Sequence, residues 1–163
     1  MWTAARAASR RAEVFAAAAL LAGCTIPFGG APQLRDAAGV LADCERAPRC
    51  VSSEALDDAH HVAAFRYDGD AHLAQDRLLD VIKAHPRATI EQTAPGYIHA
   101  IFRGRVFGRI DDVEFAFGPH PGAIQVRSAS RDGWYDFGAN HDRVETLREA
   151  FDAANRAAAT PRP

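Results

Sequence analysis

Residues 97–131 read YIHAIFRGRVFGRIDDVEFAFGPHPGAIQVRSASR. Three runs with apolar residues at every second position are separated by two turn signals, Phe107-Gly108-Arg109 and Gly118-Pro119-His120-Pro121-Gly122. Successive strand side chains point to opposite faces, so a period of two marks strands buried on one side. Gly and Pro clusters mark where the chain reverses. Runs 97–106, 110–117 and 123–131 are therefore expected to form an antiparallel meander. Its inner face would carry Ile98, Ala100, Phe102, Val106, Val113, Phe115, Phe117, Ile124 and Val126. The opposite, open face would carry Tyr97, His99, Ile101, Arg103, Asp112, Glu114, Gln125, Arg127 and Arg131.

Upstream, residues 62–67 form a short apolar run with aromatic content, read as a strand. Asp70 is placed to cap a helix that runs to Ala84 and is stopped by Pro86; Leu73, Ala74, Leu78, Val81 and Ile82 follow helical spacing. Residues 88–93 read as another strand, ended by Pro95-Gly96. Downstream, Asn140 is a good N-cap for a helix to about Arg156, with Val144, Leu147, Phe151 and Ala154 as its apolar stripe. The order β-α-β-β-β-β-α predicts an α+β fold: one antiparallel sheet of about five strands with two helices on one face.

The chain has 163 residues, 48% hydrophobic and 25% charged, with a formal net charge of -2, which suits a single folded domain. The near-neutral balance excludes a strongly basic nucleic-acid binder. No apolar run is long enough for a permanent membrane-spanning helix. At the N-terminus, Arg6, Arg10 and Arg11 precede nine apolar residues at 14–22, the length of a secretory signal's apolar segment. The segment ends in Leu21-Ala22-Gly23-Cys24, which resembles the lipobox of bacterial lipoproteins, where the cysteine is diacylated and becomes the mature N-terminus. An ordinary signal peptide or an uncleaved anchor are the alternatives, and Ser9-Arg10-Arg11 gives a faint twin-arginine pattern that Glu13 interrupts. The expected organisation is a signal at 1–23, a Gly- and Pro-containing tether at 24–43, a globular domain at 44–157 and a disordered tail at 158–163.

With Cys24 lipidated, Cys44 and Cys50 remain as an even pair spaced C-x5-C, which suits a structural disulfide in an oxidising periplasm. A redox pair would more usually be C-x-x-C, and a zinc site would need further ligands with the right spacing. Thr25 carries no inner-membrane retention signal, so the expected location is the outer membrane, facing the periplasm.

In-phase hairpin registers would set Arg103 across from Asp112, Glu114 across from Arg127 and Asp111 across from Ser130, with Arg131 diagonal to Asp112. This lattice reads either as register control through cross-strand ion pairs or as a site in which Arg127 and Arg131 form a fork for a carboxylate or phosphate. Asp111, Asp112 and Glu114 offer hard oxygens for calcium or magnesium. Adjacent strand residues diverge, however, and the nearby arginines oppose a cation, so no metal or other cofactor is expected. His60-His61 likewise diverge on extended chain. Ser128 and Ser130 face the helices, where they would bond to backbone or to Asp111, and no nucleophile elbow surrounds them. Asp136, Asn140 and Arg143 read as turn, N-cap and first-turn side chain, holding the last helix against its strand or serving a ligand. Trp134-Tyr135 reads as an exposed patch or a lid over the sheet end.

Cys50-Val51-Ser52-Ser53, then Asp111-Asp112-Val113-Glu114-Phe115, then residues 127–143, RSASRDGWYDFGANHDR, resemble the family catalogued as domain of unknown function 1499. The resemblance covers residues 44–156. Arg49, His141 and Asp132 depart from the residues usual at those positions. The resemblance implies a bacterial envelope lipoprotein or secreted protein and brings no established reaction. The reading that results is a lipid-anchored envelope domain binding a protein partner or small polar or anionic ligand, through its charged sheet face or the 133–138 loop, without catalysis. Two alternatives stand beside it: an envelope hydrolase using Asp112, Glu114 and Arg131, and a purely structural envelope protein. Flanking arginines would keep both carboxylates ionised, which opposes acid catalysis.

Overall fold

The computed structural model describes residues 35, 40–44, 48–104, 108–118 and 121–159. The expected signal, Cys24, most of the tether, Val106 and the last four residues of the tail lie outside the described residues. The elements are β1 (Cys50–Ser52), β2 (Phe65–Arg66), α1 (Ala71–Ala84), β3 (Ala88–Ala94), β4 (Tyr97–Arg103), β5 (Ile110–Phe117), β6 (Ala123–Ser130) and α2 (Ala139–Ala159). They make an α+β fold in which the sheet has the order β1-β6-β5-β4-β3, with β2 also on the outer edge of β6. Every strand pairing is antiparallel. Both helices pack on one face, as the alternation predicts, and the core joins Leu78, Ile82, Val144, Leu147 and Phe151 to Ile98, Phe102, Val113, Phe115 and Val126. Phe65 packs edge-on to Phe115 at 5.4 Å and against Phe151 at 5.9 Å, tying β2 to the sheet and to α2.

α1 starts where expected: the Asp70 carboxylate accepts from the N–H groups of His72 and Leu73. Its buried stripe differs from the hydrophobic reading at three residues, one of them Val81, which is only partly buried. Leu73 is exposed, and Gln75 takes the inward place. Gln75 donates to the Ala94 carbonyl at 2.7 Å and accepts from Gly96 N–H at 3.0 Å, clamping the turn between β3 and β4. Gly96 sits at φ +73, which only glycine adopts without strain.

Three further expectations need correction. The run 62–67 yields only the two-residue β2, and β1, a three-residue strand, is unforeseen. Arg103 is paired with Ile110, and Asp112 faces Ile101, so the expected Arg103–Asp112 pair does not form; the β4–β5 hairpin is offset by two residues from the register assumed. Asn140 is not the N-cap of α2. It lies inside the first turn, while the Asp136 carboxylate receives the N–H groups of Gly138 and Asn140, each at 3.0 Å.

Candidate functional site

The outward face of the meander is closed. Asp112, Glu114 and Arg127 are 2%, 0% and 6% exposed, and Tyr97 and His99 are buried beside them. Arg35 and Leu41, both from the segment expected to be a tether, lie against this face. The Arg35 guanidinium sits 3.9 Å from the Tyr97 ring centre and its backbone N–H reaches Glu114 Oε1 at 3.1 Å, while Leu41 packs with Tyr97 and Ala116. Leu41 N–H donates to Glu54, and the Cys44–Cys50 disulfide joins this strap to β1.

Burying a charge is costly unless it is paired, so each carboxylate has partners. Arg131 donates to both Asp112 oxygens at 2.8 Å, in a fork. His99 Nε2 lies 2.8 Å from Asp112 Oδ1; an ionised carboxylate only accepts, so Nε2 carries the hydrogen. Burial pushes the Asp112 carboxyl up, but the bonds from Arg131 and His99 outweigh it and hold it below its ordinary value. Asp112 in turn raises Arg131. Glu114 accepts from the Tyr97 hydroxyl at 2.7 Å and from Arg127 at 3.4 Å. Burial, then the bond to Glu114, pushes the Tyr97 phenol well above its ordinary value, so it remains a donor. Arg127 and Arg131 are thus engaged by acids of the same sheet, not held as an open fork.

On the helix face, Asn140 is a hub that alternation alone does not reveal. Its side-chain amide donates to Ser130 Oγ at 3.0 Å, to the Arg49 carbonyl at 2.9 Å and to Asp136 at 2.8 Å, and its oxygen accepts from Ser128 Oγ at 2.6 Å. Arg143 donates to Ser128 Oγ and Asn140 and forms an ion pair with Asp111. Ser128 and Ser130 bond to Asn140, where backbone or Asp111 was the expected partner. Asp111 and Asp112 do diverge to opposite faces. His60 pairs with Asp57, and His61 lies against the Ala55 carbonyl, so the two histidines do not converge. No group of three or more metal-ligating side chains occurs among the described residues.

A cleft of about 670 Å³ opens where the end of β4, the start of β5 and the start of α2 meet. Arg87, Arg103, Arg109 and Arg143 line it together with Asp111, Asp136 and Asp142; His85, Phe102 and Phe137 add aromatic surface. Of the residues singled out in the sequence, Arg103, Asp111, Ser130, Asp136 and Arg143 line this cleft, whereas Asp112, Glu114, Arg127, Arg131 and Asn140 do not. Asp111 is occupied by Arg143, and Asp136 by backbone N–H groups and Asn140. Arg109 donates to the Tyr135 carbonyl at 3.2 Å. Arg87 and Arg103 form no side-chain ion pair among the described residues. The positive field is felt by His85, which burial and then Arg87 and Arg143 push below its ordinary value. Arg87, Arg109 and His85 escape a sequence reading because they come from a loop after α1, a hairpin and a helix end, with no shared spacing.

No curated protein matches the chain. A family model does, across residues 40–151, covering the sheet, α1 and all but the end of α2. The residues that carried the resemblance are the ones that the structure joins: Asp111 to Arg143, Asp112 to Arg131, Glu114 to Arg127, and Ser128 and Ser130 to Asn140. The chain belongs to the family described as protein of unknown function (DUF1499).

Proposed function

We propose that this chain is an envelope domain, lipid-anchored through Cys24 and facing the periplasm from the outer membrane, that binds a small anionic ligand in the cleft at the start of α2 without transforming it. The observation that carries the reading is the imbalance of charge in that cleft. Two of its three aspartates are consumed internally, while Arg87 and Arg103 line it with no side-chain ion pair among the described residues. Guanidinium groups match carboxylate or phosphate oxygens, and aromatic walls beside a few convergent polar groups are the usual make-up of a ligand site.

The charged sheet face is better assigned to the fold than to a ligand. Its acids are buried and satisfied by Tyr97, His99, Arg127 and Arg131. Arg131 and His99 hold Asp112 below its ordinary value, which disfavours it as the proton donor of the hydrolase alternative.

The test is equilibrium binding of inorganic phosphate and glycerol phosphate to the full chain, with and without Arg87→Ala and Arg103→Ala. Saturable binding that weakens roughly tenfold or more in the double variant is expected, since tenfold corresponds to about 1.4 kcal/mol of lost contact. Absence of saturable binding, or binding indifferent to both arginines, overturns the cleft reading. The anchor is tested separately by palmitate labelling, which Cys24→Ala should abolish.

A further inference from the structure

The loop between β6 and α2 carries a feature that ligand binding in the cleft leaves unused. Trp134, Tyr135 and Phe137 are 76%, 48% and 83% exposed, an unusual concentration of large apolar surface in four residues. The rings of Tyr135 and Phe137 meet edge to face at 4.9 Å, so they form one joined tip. The backbone holds that tip outward. Phe137 has φ +57, the only positive φ of a non-glycine residue among the described residues. It is locked between the Asp136 carboxylate, bonded to Gly138 and Asn140, and the Tyr135 carbonyl, bonded by Arg109. Arg109 lies directly behind the loop, with its guanidinium 2.9 Å from where a Cβ on Gly133 would stand.

Phe137 also lines the cleft, so the aromatic tip and the arginines form one continuous surface on a molecule whose net charge is -2. Aromatic rings settle at the headgroup level of a bilayer, and arginines are drawn to anionic headgroups. The combination therefore complements an anionic lipid surface. Cys24 precedes Arg35, which rests on the sheet face, by 11 residues, a span of at most roughly 40 Å when extended, so an anchored domain stays within reach of its membrane. We propose that the 134–137 tip docks on an anionic bilayer and that the cleft arginines seat a lipid phosphate there. The proposal rests on the cleft reading above for its anion site and adds the source of the anion.

The chain holds two tryptophans, Trp2 and Trp134, so the full-length Trp2→Phe variant reports on the loop alone even when the N-terminus is itself membrane-bound. Its fluorescence is followed on phosphatidylcholine vesicles with and without phosphatidylglycerol, using bromine-labelled acyl chains as quenchers. The expected result is a blue shift of Trp134 emission with quenching about twofold or more stronger on the anionic vesicles. Tyr135→Ser with Phe137→Ser should reduce the quenching, and Arg87→Glu with Arg103→Glu should remove the anionic preference. All four sites are exposed or at the cleft rim, and circular dichroism of each variant verifies its fold. Trp134 emission unchanged by either vesicle overturns docking, and equal quenching on neutral and anionic vesicles overturns the headgroup seat. If phosphate binds the cleft while Trp134 ignores vesicles, docking alone fails. If neither occurs, both readings fail.

Discussion

Arg131 holds the most consequential single contact in the sheet, because its partner Asp112 is almost wholly removed from water. Arg131→Ala leaves a buried carboxylate with only His99 to oppose it. The expected loss is about 2–4 kcal/mol in urea unfolding, well beyond the range of an exposed pair. A change within about 0.5 kcal/mol would show the pair to be idle. The same residue sets an acid limb. The folded-state pKa of Asp112 lies below its ordinary value of 3.8, so the unfolded chain takes up the proton first. The stability contributed is complete above that ordinary value and drains away as pH falls through it toward the lower folded one. Unfolding free energy measured against pH should therefore drop in that window, and Asp112→Asn should flatten the drop. That Asp112 and Arg131 share a face was legible from alternation. His99 and Tyr97 were placed on that face too, but their role as partners was not, since neither carries the formal charge by which ion pairs are sought in a sequence.

At the scale of elements, what the sequence showed and what it hid divide along length. β5 matches its expected bounds and α1 begins at its expected cap, because a run of eight or fourteen residues repeats its period often enough to declare it. β1 and β2 have three and two residues, too few for any period, and they exist because β6 offers an edge to pair with. The start of α2 differs from its sequence reading by one turn's chemistry: Asp136 and Asn140 both suit capping, and the pull of Ser128, Ser130 and the Arg49 carbonyl on Asn140 decides between them. The strap that closes the charged face reads as tether in the sequence because its Gly and Pro content describes how it is linked and not where Leu41 rests. Its attachment is testable. The Cys44–Cys50 link closes a small loop, for which chain entropy gives on the order of 2 kcal/mol. Reduction, or Cys44→Ser with Cys50→Ser, should lower the unfolding free energy by that amount and so lower the urea midpoint, and an unchanged midpoint would show that the strap holds without it.

For the whole molecule, fold class was readable and the cleft was not. Layering follows from the order of periodic segments, whereas the cleft is made from the ends of elements, where period carries no information. The family motif illustrates the distinction. Read along the chain it looks like a row of reactive groups; folded, Glu114 and Asp111 face opposite ways and each is spent on an arginine. β6 has a further consequence for how the chain comes to be made. It serves β5 on one side and both β1 and β2 on the other, so residues 50–66 have no ladder to join until residues 123–130 exist. A ribosome or a translocation channel that has released the first hundred residues has released a polypeptide that cannot finish its own sheet. Such late closure of distant contacts slows folding. It also leaves β1 and β2 without their partner strand until the last third of the nascent chain emerges.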